Sequence, residues 1–167
     1  MLLILLITFS ISFQSFAIEK SKLKVYIFLS EKCPICQSST LELNRILKKY
    51  PSELLQFEGI FPNLDLSNME SMTEFKRKYQ LQFPLELDIN QLLVKKFNAT
   101  VTPQVFLVET QTEKIIYSGK IDNSYERVGK RRKVVNEHFL ESAIENYQNQ
   151  ISISPVQTNP VGCYINL

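Results

Sequence analysis

Tryptophan is absent from this sequence of 167 residues, and histidine and cysteine are rare, with one and three copies. Three cysteines are too few for the disulfide framework that holds many small exported proteins together, and their odd number leaves at least one thiol unpaired or shared. A structural zinc site needs four ligands. Only Cys33, Cys36, Cys163 and His138 could supply a Cys₃His set. These four residues are scattered along the chain, which argues against a zinc site, so zinc is kept only as an alternative.

A strong excess of one charge is also missing. The 19 Lys and Arg residues nearly balance 17 Asp and Glu residues, which leaves a formal net charge of +2 at pH 7. This balance does not indicate a nucleic acid or an acidic membrane surface as a partner. Internal repeats and low-complexity tracts are absent as well.

The first 17 residues carry no charge and are mostly Leu, Ile and Phe. Ser15 and Ala17 place small residues where a signal peptidase reads, so we predict a secretory signal peptide over residues 1–17. The segment begins without Lys or Arg, which leaves an uncleaved anchor as the alternative, although it is shorter than the roughly 20 residues that span a bilayer. It lacks the cysteine of a lipoprotein signal. We therefore expect an exported protein, periplasmic or extracellular, with no stable membrane span unless the signal is uncleaved.

Removal of this signal leaves about 150 residues, which suits one domain with a single core. We assign residues 18–147 to that domain and residues 148–167 to a C-terminal tail. The tail has no charged residue, and because disorder usually accompanies charge, we expect it to lie extended on the domain. Residues 122–133 contain a cluster of basic side chains that we interpret as a solvated loop, with a docking role as the alternative.

Two cysteines, Cys33 and Cys36, stand where an apolar run gives way to the pattern of an amphipathic helix. Residues 25–29 are typical of a strand buried on both faces, and Pro34 suits the first turn of the helix. There the Cys33 sulfur would face unpaired N–H groups and the positive end of the helix dipole, which favours the thiolate. We expect Cys33 to be exposed and Cys36 to be recessed, as in a dithiol exchange site with one attacking and one resolving sulfur. The apolar face of the helix is formed by Leu43, Ile46, Leu47 and Tyr50.

A Cys-x-x-Cys motif also occurs in haem attachment, zinc sites and structural disulfides. Gln37 stands where c-type haem attachment requires His directly after the second cysteine. A structural disulfide closing so small a loop would add little stability through chain entropy, but it remains an alternative. No cofactor is expected for disulfide exchange.

The remaining hydrophobic pattern alternates strands and helices, which indicates an α/β fold with parallel strands. Asn90 is the predicted N-cap of a short helix that buries Leu92, Leu93 and Phe97. Pro103 removes a backbone donor, so it marks a turn or the first residue of a strand, and a cis bond is one way to build such a corner. The other predicted elements are strands over residues 54–60, 104–109 and 114–118, an extended piece over 83–88, and helices with apolar faces between 69 and 79 and between 139 and 147.

The order of strand, Cys-x-x-Cys, helix, βα unit and Val-Thr-Pro before an apolar strand resembles the thioredoxin fold. The chain is most similar to its exported redoxin branch, with AhpC/TSA and TlpA-like proteins. The resemblance implies an α/β fold with a central mixed sheet flanked by helices and an extended C-terminal tail. It also implies that Cys33 is the nucleophile, that Cys36 is the resolving cysteine, and that Pro103 is a cis-proline packed against the disulfide beside the partner's backbone. The similar segments are residues 59–63, 83–85, 99–107, 119–122 and 161–163.

Three departures from these relatives bear on function. Lys32 replaces the usual Trp before the first cysteine, and its charge would further favour the thiolate. Tyr26 stands where peroxide-destroying relatives have Pro, although Ser30 fits their pattern. Copper-delivering relatives space their cysteines differently and add a histidine, whereas His138 is interpreted as an ordinary helix residue.

We therefore predict a thiol–disulfide oxidoreductase outside the cytoplasm, acting on protein disulfides or dithiols in a direction that the motif does not fix. The alternatives are a copper or zinc metallochaperone that uses the same cysteines, and a peroxiredoxin-like peroxidase. Cys163 near the C-terminus is either an incidental free thiol or a third redox cysteine. The second hypothesis requires the tail to bring Cys163 to the Cys33–Cys36 pair or to a partner.

Overall fold

The computed structural model of the protein describes residues 21–166, so the predicted signal peptide over residues 1–17 lies outside the described residues. Among residues 21–166, no helix combines the length and the apolar character needed to cross a membrane. The strands are β1 (Leu23–Phe28), β2 (Leu55–Phe61), β3 (Leu85–Leu87), β4 (Val101–Thr102), β5 (Gln104–Glu109), β6 (Lys114–Gly119), β7 (Tyr125–Arg127), β8 (Lys130–Arg131) and β9 (Cys163–Tyr164). The helices are α1 (Pro34–Lys49), α2 (Met69–Lys78), α3 (Leu92–Phe97) and α4 (Phe139–Gln148).

Strand β1 lies at the centre of a five-stranded sheet with the order β3-β2-β1-β5-β6. It pairs in parallel with β2 and antiparallel with β5, so the sheet is mixed. Val25 and Ile27 belong to the main hydrophobic core, which also contains side chains of α1, α2 and α4. Phe28 belongs to a second hydrophobic cluster, where it packs with residues of α3. Helices therefore flank a central mixed sheet, and the predicted fold class is confirmed.

Helix α1 carries the second half of the cysteine motif. It begins at Pro34 with Cys33 as the N-cap residue, and it buries Leu43 and Ile46 on one face. Lys49 and its neighbour in the last turn place positive charge at the negative end of the helix dipole. The apolar spacing predicted this helix correctly.

The start of α3 differs from the prediction. Asp88 caps this helix, because its carboxylate accepts hydrogen bonds from the backbone N–H groups of Leu93 and Val94 at 3.0 and 2.8 Å. The predicted cap, Asn90, lies inside a 3-10 turn with a left-handed φ of 64°. Leu92 is 65% exposed, and Val94 occupies the buried position instead.

The basic segment that was predicted to be a loop contains a two-stranded hairpin. Strands β7 and β8 pair antiparallel, and Gly129 lies in the connection with a φ of +77°. The loop prediction was wrong because charged side chains on both exposed strands conceal the alternation that marks a half-buried hairpin.

The tail follows the edge of the sheet from α4 toward β4. Beside β6, the N–H of Ser118 donates to the carbonyl of Val156, and the N–H of Thr158 donates to the carbonyl of Ser118, both at 3.0 Å. A Cβ on Gly119 would lie 2.2 Å from the carbonyl oxygen of Thr158, so the tail can approach only because this residue is glycine. Further on, β9 pairs antiparallel with β4.

Candidate functional site

The two cysteines of the motif lie where β1 ends and α1 begins. Cys36 is fully buried, and the backbone N–H of Ser30 donates a hydrogen bond to its sulfur at 3.4 Å. Cys33 is only 1% exposed. The prediction that Cys33 is exposed was wrong, because the C-terminal tail covers the start of the helix.

The environment gives the two thiols opposite acidities. The pKa of Cys33 is lowered to about 5, mainly by the hydrogen bond from the Cys36 thiol and to a smaller extent by the hydrogen bond from Cys163. Burial raises the pKa of Cys33 but does not outweigh these hydrogen bonds. Burial, followed by the hydrogen bond and charge of Cys33, raises the pKa of Cys36 well above its ordinary value. At neutral pH, Cys33 is therefore the thiolate and Cys36 the proton-bearing thiol. Lys32 is exposed to solvent, and the neighbouring thiols are the groups that lower the pKa of Cys33.

The segment before β5 forms the wall beside the cysteines. The Thr102–Pro103 peptide bond is cis, and both residues are buried. The Thr102 carbonyl oxygen lies 3.2 Å from the Cys33 sulfur and accepts a hydrogen bond from it when Cys33 is a thiol. Folding thus brings Cys33, Cys36 and Pro103 together, although Pro103 is distant from the cysteines in sequence.

The C-terminal tail brings the third cysteine to the same place. The Cys163 sulfur lies 2.6 Å from the Cys33 sulfur, and none of the three cysteines is in a disulfide. Burial, followed by the hydrogen bond and charge of Cys33, raises the pKa of Cys163 to about 12. Cys163 is therefore positioned as the thiol that donates to the Cys33 thiolate.

Glu31 is a residue of this site that the sequence did not indicate. Its side chain is buried, and its carboxylate accepts hydrogen bonds from the hydroxyl groups of Ser67 and Ser71 at 2.6 and 2.8 Å. Its backbone carbonyl accepts a hydrogen bond from Gln37 Nε2 at 2.8 Å. These contacts tie the loop before Cys33 to the start of α2. No local pattern could have shown them, because the two serines lie 36 and 40 residues away.

His138 does not join the cysteines. It precedes α4, and its Nδ1 lies 2.9 Å from Glu42 Oε1. Within residues 21–166, the only group of three or more candidate metal ligands is Glu42, His138 and Glu141. The two carboxylates of this group are already paired with Arg45, and Glu141 is also paired with Lys49. The structure therefore does not assemble the Cys₃His zinc set.

Comparisons with known proteins agree with this architecture. Residues 10–118 match the model of the AhpC/TSA family, whereas no curated protein matches the chain. A hypothetical protein from Sinorhizobium meliloti is 22% identical with a TM-score of 0.76, over 88% of this chain and 80% of that protein. An uncharacterized conserved protein from Geobacillus kaustophilus is 23% identical with a TM-score of 0.77, over 89% and 79% of the two chains. A thioredoxin-like protein from Aeropyrum pernix is 18% identical with a TM-score of 0.54, over 60% and 70%. The fold is thioredoxin-like.

Proposed function

Because the chain belongs to the AhpC/TSA family, we propose that it is a thiol–disulfide oxidoreductase that acts on protein disulfides or dithiols outside the cytoplasm. Cys33 is the nucleophile, Cys36 is the resolving cysteine, and Pro103 lies beside the backbone of the bound partner. The observation that carries this proposal is the placement of the two sulfurs at the start of α1. The Cys36 sulfur is fully buried and accepts a hydrogen bond from the Ser30 N–H, while the Cys33 sulfur lies 3.2 Å from the Thr102 carbonyl oxygen. In this arrangement the pKa of Cys33 is lowered to about 5 by hydrogen bonding from Cys36, and the pKa of Cys36 is raised by burial. A dithiol exchange site needs one sulfur ready to attack and a second that is held back until the first has reacted.

The reaction proceeds in two exchanges. The Cys33 thiolate attacks one sulfur of the partner's disulfide, which forms a mixed disulfide and releases the partner's other sulfur as a thiolate that takes up a proton. The Cys36 thiol then loses its proton and attacks the Cys33 sulfur. This step forms the Cys33–Cys36 disulfide and releases the reduced partner. The same steps in reverse oxidise a partner dithiol.

Two variants, each with one cysteine of the motif replaced, test this assignment, and each serves as the control for the other. Both are made in a Cys163→Ser background, because the Cys163 sulfur lies 2.6 Å from Cys33 and could otherwise take the place of the missing thiol. Cys33→Ser should abolish exchange with a protein disulfide. Cys36→Ser should instead accumulate a mixed disulfide with the partner, because attack proceeds and resolution fails. Accumulation of the mixed disulfide in Cys33→Ser would reverse the two roles. If both variants still complete disulfide exchange, the proposal is refuted.

The location is tested separately. We expect the exported protein to begin after Ala17, as the predicted signal peptide requires. Sequencing of the mature N-terminus from the producing cell's extracytoplasmic fraction measures this directly. A protein recovered only from the cytoplasm with residues 1–17 attached would contradict the proposed location.

A further inference from the structure

The C-terminal strand occupies the backbone edge next to the cysteines. Strand β4 pairs with β9 alone among the described strands, and Thr102 lies opposite Cys163 in that pairing. A partner that is bound in extended form beside Pro103 would need this same edge of β4. The tail therefore stands where the proposed function places the partner.

The side chains of the tail fit this edge closely. A Cβ on Gly162 would lie 2.1 Å from the Thr102 carbonyl oxygen, so only glycine allows the tail to approach so near. Ile165 is buried in the smaller hydrophobic cluster, and its N–H donates to the Thr100 carbonyl at 3.0 Å. Asn63 accepts a hydrogen bond from the N–H of Asn166 at 2.9 Å. The strand is thus anchored on both sides of Cys163.

The third cysteine places its sulfur where a bound partner's sulfur would react. Cys163 and Cys33 hold their sulfurs 2.6 Å apart, which is the position that a partner's reacting sulfur must take. The tail also lies beyond residues 10–118, the part that matches the family. We propose that the C-terminal strand is an internal substrate of the Cys33–Cys36 pair. The strand covers Cys33, and its Cys163 exchanges disulfides with the pair. This inference rests on the proposed function.

The exchange is an isomerisation and needs no oxidant beyond the one that formed the Cys33–Cys36 disulfide. Cys163 loses its proton to solvent, and its thiolate attacks the Cys33 sulfur. The Cys33–Cys163 bond forms as the Cys33–Cys36 bond breaks, and Cys36 leaves with the electron pair and takes up a proton. The product holds Cys33 in a disulfide with the tail. A partner thiolate can then reach the pair only by attacking the Cys33 sulfur, which forms a mixed disulfide and releases Cys163 as a thiolate that takes up a proton.

Four variants separate the covering of Cys33 from disulfide exchange. Gly162→Val should expel the strand through its clash with Thr102, whereas Cys163→Ser should keep the strand docked without its sulfur. Tyr164→Ser is the matched control, because that side chain lies between the two anchors and is 82% exposed. If Gly162→Val fails to fold, Ile165→Asp releases the strand by placing a charge in an apolar cluster.

The first readout is the rate at which iodoacetamide modifies Cys33 in the reduced protein, followed by peptide mass spectrometry. We expect Cys33 in Gly162→Val to react at least about tenfold faster than in the unmodified protein, because its sulfur is then accessible without local opening of the C-terminal strand. Tyr164→Ser should react at the rate of the unmodified protein, and Cys163→Ser much more slowly than Gly162→Val. Equal rates in Gly162→Val, Ile165→Asp and the unmodified protein would overturn the covering role.

The second readout is peptide mapping of the oxidised protein. A Cys33–Cys163 disulfide should appear in the unmodified protein and in Tyr164→Ser, and it should be lost in Gly162→Val. Its absence from an unmodified protein that forms the Cys33–Cys36 disulfide and exchanges with oxidised glutathione would overturn the internal-substrate proposal and leave the proposed function standing. Failure of Cys33 to exchange even in Gly162→Val would instead refute the proposed function and, with it, the inference that depends on it.

Discussion

Removal of the Cys36 sulfur should raise the pKa of Cys33, because the Cys36 thiol makes the largest contribution to lowering that pKa to about 5. A hydrogen bond to a charged group is worth about 1.5–3 kcal/mol, and one pKa unit corresponds to about 1.4 kcal/mol. The midpoint of Cys33 titration in Cys36→Ala should therefore rise by about one to two pKa units. Cys36→Ser keeps a hydroxyl donor at the same position, so its midpoint should rise less.

The measurement is the ultraviolet absorbance of the thiolate in fully reduced protein as the pH is raised from acid to neutral. Cys33→Ser supplies the baseline, because the pKa of both remaining thiols is raised above the ordinary value. A midpoint that stays near 5 in Cys36→Ala would refute the reasoning. Equal rises in Cys36→Ala and Cys36→Ser would show that the sulfur acts through something other than hydrogen-bond donation.

Three further substitutions test contacts that support the site and the fold. Glu31→Ala should lower the free energy of unfolding by about 2–3 kcal/mol in urea titration, because two hydroxyl groups lose a charged acceptor. The control is Glu53→Ala, which replaces an exposed side chain and should change the free energy of unfolding little. Asp88→Ala should cost about 1–2 kcal/mol by the same assay, because α3 loses its cap. Arg45 lowers the pKa of Glu141 to about 2, so this ion pair stabilises the fold above pH 4.5, and that stability is lost as the pH falls toward 2. Glu141→Gln should remove roughly 1 kcal/mol of this acid dependence, since the exposure of Arg45 weakens the pair.

The regular elements could be predicted because their signals are local. The continuous apolar run of residues 25–29 predicted β1. The spacing of Leu43 and Ile46 predicted α1. Cap positions are harder to predict, since several polar residues precede α3 and only the three-dimensional turn decides which one reaches the free N–H groups. Asp88 does so, while Asn90 takes up the left-handed conformation of the turn.

The residues that meet at the candidate site could be predicted from the sequence, but their accessibility could not. The cysteine spacing and the proline before β5 indicated Cys33, Cys36 and Pro103 as candidates, because these residue types occur in short motifs. The burial of Cys33 depends on the pairing of β9 with β4, which joins segments far apart in the chain. A two-residue strand gives no periodic signal, and only the uncharged composition of the tail indicated that it lies on the domain.

The covering of Cys33 has two opposing consequences for its reactivity. Burial raises the pKa of Cys33, while the hydrogen bond from Cys163 on the same tail lowers it. Release of the tail would remove the hydrogen bond from Cys163 and reduce the burial, whereas the larger contribution of the Cys36 hydrogen bond would remain, so we expect the pKa of Cys33 to stay lowered. Lys32, directly before Cys33, is exposed to solvent, whereas the tail is in contact with the Cys33 sulfur through Cys163. It follows that displacement of the tail, rather than loss of a proton, determines when Cys33 reacts in the proposed mechanism.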